Sequence, residues 1–137
     1  MTKFQYLLSA AALSLAPPSG QAAANSVAVD RATEGLAQLL VASDLADACP
    51  NVVQRKDGKD KNTFVADGVI QLINEEPITM ADLVEATQTT QPEEMDMRKR
   101  MVLARRGVDI DDLRAVCFFA RQIVSADDEI GRFLEAR

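Results

Sequence analysis

The chain has 137 residues, 21 Asp and Glu against 15 Lys and Arg, a net charge of −6, two Cys, and neither His nor Trp. That length fits one domain, with or without a removable leader. The lack of His excludes Ser-His-Asp and Cys-His arrangements and His-ligated metals, and the acidic balance argues against nucleic acid as a partner.

Lys3 and the amino terminus form a short basic start, and Phe4 to Ala16 runs without a charge. Pro17-Pro18-Ser19-Gly20 interrupts that run, and Ala22-Ala23-Ala24 follows. This is the layout of a secretory signal peptide over residues 1–24, with cleavage expected between Ala24 and Asn25. Its apolar run is shorter than the roughly 20 residues of a membrane span, although a retained anchor is the rival reading. Lys3 is the only charged side chain in the leader, so a mature chain keeps 14 basic and 21 acidic groups, a net of −7. Tyr6 leaves too, and Phe64, Phe118, Phe119 and Phe133 become the only aromatics. A base-stacking surface is not expected from that set. No second apolar run reaches membrane length, so no span is expected after cleavage.

The mature part, residues 25–137, reads as one all-helical domain of about five helices. Asn25 or Ser26 is the expected cap of a first helix with Val29, Ala32, Leu36 and Leu40 on one face, ending at Cys49-Pro50. Gln54 to Asn62 is polar, with an Asp57-Gly58 turn signal, and reads as a loop or as an exposed turn in a longer helix. Phe64, Val65, Val69, Leu72 and Ile73 predict a second helix that stops at Glu75-Glu76-Pro77. Thr79 with Asp82 predicts a capping box and a short third helix through Leu83 and Val84. Pro92, Glu93 and Glu94 suit the start of a fourth, and Arg105-Arg106-Gly107 its end. Asp109 is the expected cap of a fifth, with Leu113, Val116, Cys117, Ala120, Ile123 and Val124 on one face. Ser125 with Asp128 suggests a last short helix through Ile130, Phe133 and Leu134, and no β-alternation stands out.

In an exported chain, Cys49 and Cys117 are expected to form one structural disulfide. The alternatives are a redox-active pair, which lacks its usual C-x-x-C spacing here, and two free thiols.

No cofactor or metal site is expected. Asp57, Asp60 and Asp67-Gly68 do not match a calcium loop, because Val65 and Asn74 fall where ligands belong. The clusters Asp109, Asp111, Asp112 and Asp127, Asp128, Glu129 suit helix starts. A carboxylate pair could serve a hydrolase, though nothing in the sequence fixes a separation. Met80, Met95, Met97 and Met101 read as gap-filling or surface residues rather than a copper site.

Arg98, Lys99, Arg100, Arg105 and Arg106 make the one basic run. They pair with Glu93, Glu94 and Asp96 on a solvated face, or they dock onto an acidic protein or lipid headgroups. Phe118 and Phe119 diverge by about 100° on a helix, so one enters the core and the other needs a second surface. The candidate partner-binding residues are therefore Arg98, Lys99, Arg105, Arg106, Phe118 and Phe119.

Arg105-Arg106-Gly107-Val108-Asp109, Cys117-Phe118-Phe119-Ala120 and Ile130-Gly131-Arg132-Phe133-Leu134 together resemble a family of small exported bacterial proteins, described only as a domain of unknown function. The resemblance implies an all-helical periplasmic protein with no catalytic residues. By analogy it implies a protein partner, such as an inner-membrane respiratory complex that the chain would serve as an accessory subunit. Two other classes stay open: an acid-activated periplasmic chaperone, since 21 carboxylates lose charge as pH falls, and a carboxylate-dependent hydrolase.

Overall fold

A computed structural model describes the backbone from Pro17 onward and the side chains from Ser26 onward. The leader expected at residues 1–24 lies outside the described residues as far as position 16. Helix α1 spans Pro17–Ala48. Asn25 and Ser26 thus lie inside it and do not cap it. Pro is tolerated in a first helical turn, and the alanines that follow favour helix, so the chain starts winding earlier.

The expected one-sided burial of α1 is also corrected. Ala37, Gln38 and Leu39 are buried in sequence, as are Val41, Ala42 and Ser43, so α1 is enclosed on most of its circumference. It is the axis of the fold, with every other helix and the first strand packed against it. Small residues make this possible. A Cβ on Gly68 would stand 2.3 Å from Leu39 Cδ1, and one on Gly35 would stand 2.9 Å from Leu72 Cδ2.

After Cys49 the polar stretch is more ordered than expected. Val53–Arg55 is strand β1, followed by a 3-10 turn at Lys56–Gly58 in which Asp57 and Gly58 have φ of 59° and 63°. Helix α2 (Lys61–Glu75) starts at Asp60, whose carboxylate accepts from the Thr63 amide at 3.0 Å. It buries Phe64, Gly68 and Leu72. Helix α3 (Met80–Thr89) opens with the expected capping box: Thr79 N donates to Asp82 Oδ2 at 2.8 Å, and Asp82 N to Thr79 Oγ1 at 3.2 Å. Helix α4 (Pro92–Ala104) begins with Pro and is followed by Gly107 at φ 74°, a left-handed position suited to Gly.

Helix α5 spans Leu113–Ile123. Its cap is Asp112, which accepts from the Arg114 and Ala115 amides at 3.1 and 3.2 Å. Asp109, the expected cap, instead accepts from Asp111 N at 3.0 Å in the preceding turn. The final helix expected from Ser125 does not form. Asp128 Oδ1 accepts the Ile130 and Gly131 amides at 2.7 and 3.1 Å, a 3-10 turn follows at Gly131–Phe133, and Leu134–Ala136 is strand β2. β2 runs antiparallel to β1, with Val53 opposite Ala136, Gln54 opposite Glu135 and Arg55 opposite Leu134.

The described residues therefore form an all-α domain of five α-helices, closed by a two-stranded sheet and one disulfide. Cys49 just beyond α1 bonds to Cys117 in mid-α5, their Cα atoms 5.5 Å apart. No described helix is long and apolar enough to cross a membrane.

Candidate partner-binding surface

The basic run lies on α4 and just beyond its end, and most of its charge pairs with carboxylates of other elements. Arg98 Nη2 meets Asp30 of α1 at 2.9 Å and Lys99 Nζ meets Asp44 of α1 at 2.7 Å. Arg105 pairs with Glu34 of α1. Arg106 pairs with Asp128, approaches Glu129 at 3.6 Å, and places its guanidinium 5.8 Å from the Phe119 ring centre. The acidic neighbours on α4 itself are more distant, with Glu94 at 3.8 Å from Arg98 and Asp96 at 3.9 Å from Lys99. These four cations clamp α4 onto α1 and onto the turn before β2. Arg100 is exposed, with no ion pair among the described residues.

That turn is the centre of a polar clasp. Arg132 donates to Glu75 at 2.8 Å, to Glu76 at 3.1 Å and to the buried Gln38 at 3.2 Å, while Gln38 donates to Glu129 at 2.9 Å. Among the described residues no buried side-chain polar atom lacks a partner. Burial by itself would push the Asp128 pKa up. The Gly131 and Ile130 amides and the Arg106 guanidinium outweigh it and hold the carboxyl below its ordinary value. The segment Ile130-Gly131-Arg132-Phe133-Leu134 is thus a closing element: Ile130, Phe133 and Leu134 enter the core and Arg132 ties it to α1 and α2.

The acidic groups around residues 57–67 are also committed. Asp57 and Asp67 flank Lys59 at 3.7 and 2.5 Å, and Asp60 caps α2. The hydrogen bond from Lys59 to Asp67 raises the lysine pKa, and hydrogen bonds from Thr63 lower that of Asp60. No group of three or more Cys, Asp or Glu among the described residues converges as a metal site would require.

Several depressions border α4. A groove of about 510 Å³ runs between α1 and α4, with exposed Met97 and Met101 among Arg31, Glu34, Arg98 and Arg105. A smaller cleft of about 110 Å³ lies between α1, α4 and α5, lined by Val41, Leu45, Leu103, Ile110, Leu113 and Val116.

The two adjacent phenylalanines separate as expected. Phe119 is 8% exposed beneath Arg106, and Phe118, about 100° around α5 from it, is 63% exposed. Ile110 and Leu113, 41% and 59% exposed, add apolar surface at the start of the same helix. Two residues singled out by no motif, Arg114 and Arg121, are exposed one turn on either side of Phe118 and make no ion pair among the described residues. The i, i+4, i+7 spacing of Arg114, Phe118 and Arg121 was the signal available in sequence.

No family model matches this chain, and no curated protein or solved structure matches it.

Proposed function

We propose that this is an exported, non-catalytic helical protein of the periplasm that acts by binding another protein, as an accessory subunit of an inner-membrane complex. The observation that carries the binding reading is Phe118, 63% exposed on α5, with exposed Ile110 and Leu113 at the cleft beside the start of that helix. Exposed apolar side chains are what a protein interface uses. The helix that bears Phe118 is fixed to the central helix by the Cys49–Cys117 bridge. A bound partner would meet a surface already in place, with little left to order. The leader-like residues 1–24 and the bridge support export. The pairing of Arg98, Lys99, Arg105 and Arg106 with carboxylates of other elements gives them structural work and moves the binding role towards α5.

Affinity purification from membranes in mild detergent tests this reading. A stoichiometric partner is expected, and recovery of free monomer alone in the soluble fraction would overturn it.

The acid-activated chaperone keeps one observation in its favour. Carboxylates of α1, α2 and the turn before β2 hold the helices together through Arg98, Lys99, Arg106 and Arg132. Their protonation would loosen the fold and expose apolar surface. Suppression of client aggregation at about pH 2–3 would support it, and no suppression would remove it.

A further inference from the structure

We infer that the outward face of α5 is a docking site for an acidic protein segment, with Phe118 as the apolar anchor and Arg114 and Arg121 as the charge-recognising pair. The inference rests on the protein-binding reading above and names the chemistry of the partner.

The three residues lie within one arc of the helix, on the side opposite the buried Val116, Phe119, Ala120 and Ile123. Seven residues of rise separate the two arginines by about 10 Å along the axis, with Phe118 between them. Charge complementarity selects the occupant. The chain holds 21 carboxylates against 15 basic groups, and its acids already pair with Arg55, Lys59, Arg98, Lys99, Arg105, Arg106 and Arg132. Arg114 and Arg121 have none of those carboxylates, yet they flank Phe118, the most exposed aromatic side chain among the described residues. Guanidinium groups prefer carboxylate oxygens and can bind them in pairs. A complementary partner helix would carry two carboxylates seven residues apart with a Leu, Ile or Phe between them.

An anionic bilayer is less suited. Two arginines and one phenylalanine must hold a chain of charge −6 against a surface of the same sign. Stable membrane attachment ordinarily needs a longer apolar face or a denser basic cluster.

The test uses the disulfide-bonded protein and a fluorescent helical peptide of about 20 residues that carries Asp and Glu seven apart around a Leu. The control peptide has Asn and Gln in their place. Vesicles containing phosphatidylglycerol form the third arm. The acidic peptide is expected to bind, to perturb the α5 amide resonances, and to weaken as salt rises. Phe118→Ala and the double variant Arg114→Glu/Arg121→Glu should each weaken binding about tenfold or more, whereas Arg100→Glu on α4 should not. Where charge reversal alters the melting temperature, Arg114→Gln/Arg121→Gln replaces it.

Equal binding of both peptides, or binding indifferent to these variants, overturns the inference. So does vesicle binding without peptide binding, or self-association abolished by Phe118→Ala without peptide binding. A co-purifying partner retained equally by all variants overturns the α5 site while leaving the protein-binding reading intact.

Discussion

Gly131 lies against Ile123 so closely that a Cβ built on it would stand 2.2 Å from the Ile123 carbonyl oxygen. The obstacle is backbone and cannot rotate away. Gly131→Ala is therefore expected to cost about 2–3 kcal/mol. Gly107→Ala is the contrast, because a Cβ there meets nothing within 4 Å and only φ of 74° opposes it. That substitution should cost about 1 kcal/mol. Urea unfolding of both variants measures the difference, and equal losses would contradict the close contact.

Arg105 and Arg106 are adjacent but differ in what they hold. The Arg105 side chain is 57% exposed on Glu34, a setting in which an ion pair contributes up to about 1 kcal/mol. Arg106 is less exposed, covers Phe119 and pairs with Asp128, whose other oxygen anchors the turn before β2. Arg106→Ala should cost about 1.5–3 kcal/mol, more than Arg105→Ala. Thermal melts of the two variants provide the comparison.

Where local signals decided the structure, the sequence was legible. Thr79 with Asp82, Pro92 and Gly107 mark helix ends through backbone rules that act within four residues, whereas Ser26, Asp109 and Ser125 carry the same kind of signal and cap no helix. The two short strands were not legible, because β1 pairs with a segment some 80 residues later and each strand has three residues. Nor was the enclosure of α1, since Ala and Ser carry no strong apolar pattern and their burial depends on what surrounds them. At the candidate surface, the divergence of Phe118 and Phe119 followed from helix geometry. The fate of the basic run did not, because Arg98, Lys99 and Arg105 pair with Asp30, Asp44 and Glu34, more than fifty residues away, and Arg106 pairs with Asp128 across the turn after α5.

The same divergence gives a sharp pair of substitutions. Phe119→Ala empties a buried site and should cost about 3–5 kcal/mol. Phe118→Ala removes an exposed ring and should change stability by about 0.5 kcal/mol or less. Chemical unfolding curves settle the pair. A large loss from Phe118→Ala would show that it packs rather than waits for a partner.

The bridge encloses 69 residues counting both cysteines. The chain-entropy account assigns about 4 kcal/mol to a loop of that length. Cys49→Ser/Cys117→Ser, or reduction of the native protein, should lower stability by about that amount. Residues of α5 should then lose amide-exchange protection before those of α1, because α1 is enclosed by every other helix. Non-reducing mass spectrometry checks the starting state, which should be two hydrogens lighter than the reduced chain.

Acid should weaken the fold in a way that one residue makes visible. Asp128 has a pKa below the ordinary 3.8 despite partial burial, because two amides and Arg106 stabilise its charged form. The unfolded chain therefore takes up the proton first as pH falls. The stabilisation is fully present above the ordinary carboxylate range and disappears as pH drops through the folded-state pKa. Asp60, lowered by its hydrogen bonds to Thr63, acts in the same direction from an exposed position. Asp128→Asn should lower stability at neutral pH and flatten its dependence between about pH 5 and 2. Denaturant midpoints measured across that range report the slope directly. An unchanged slope in Asp128→Asn would mean that other carboxylates carry the acid sensitivity.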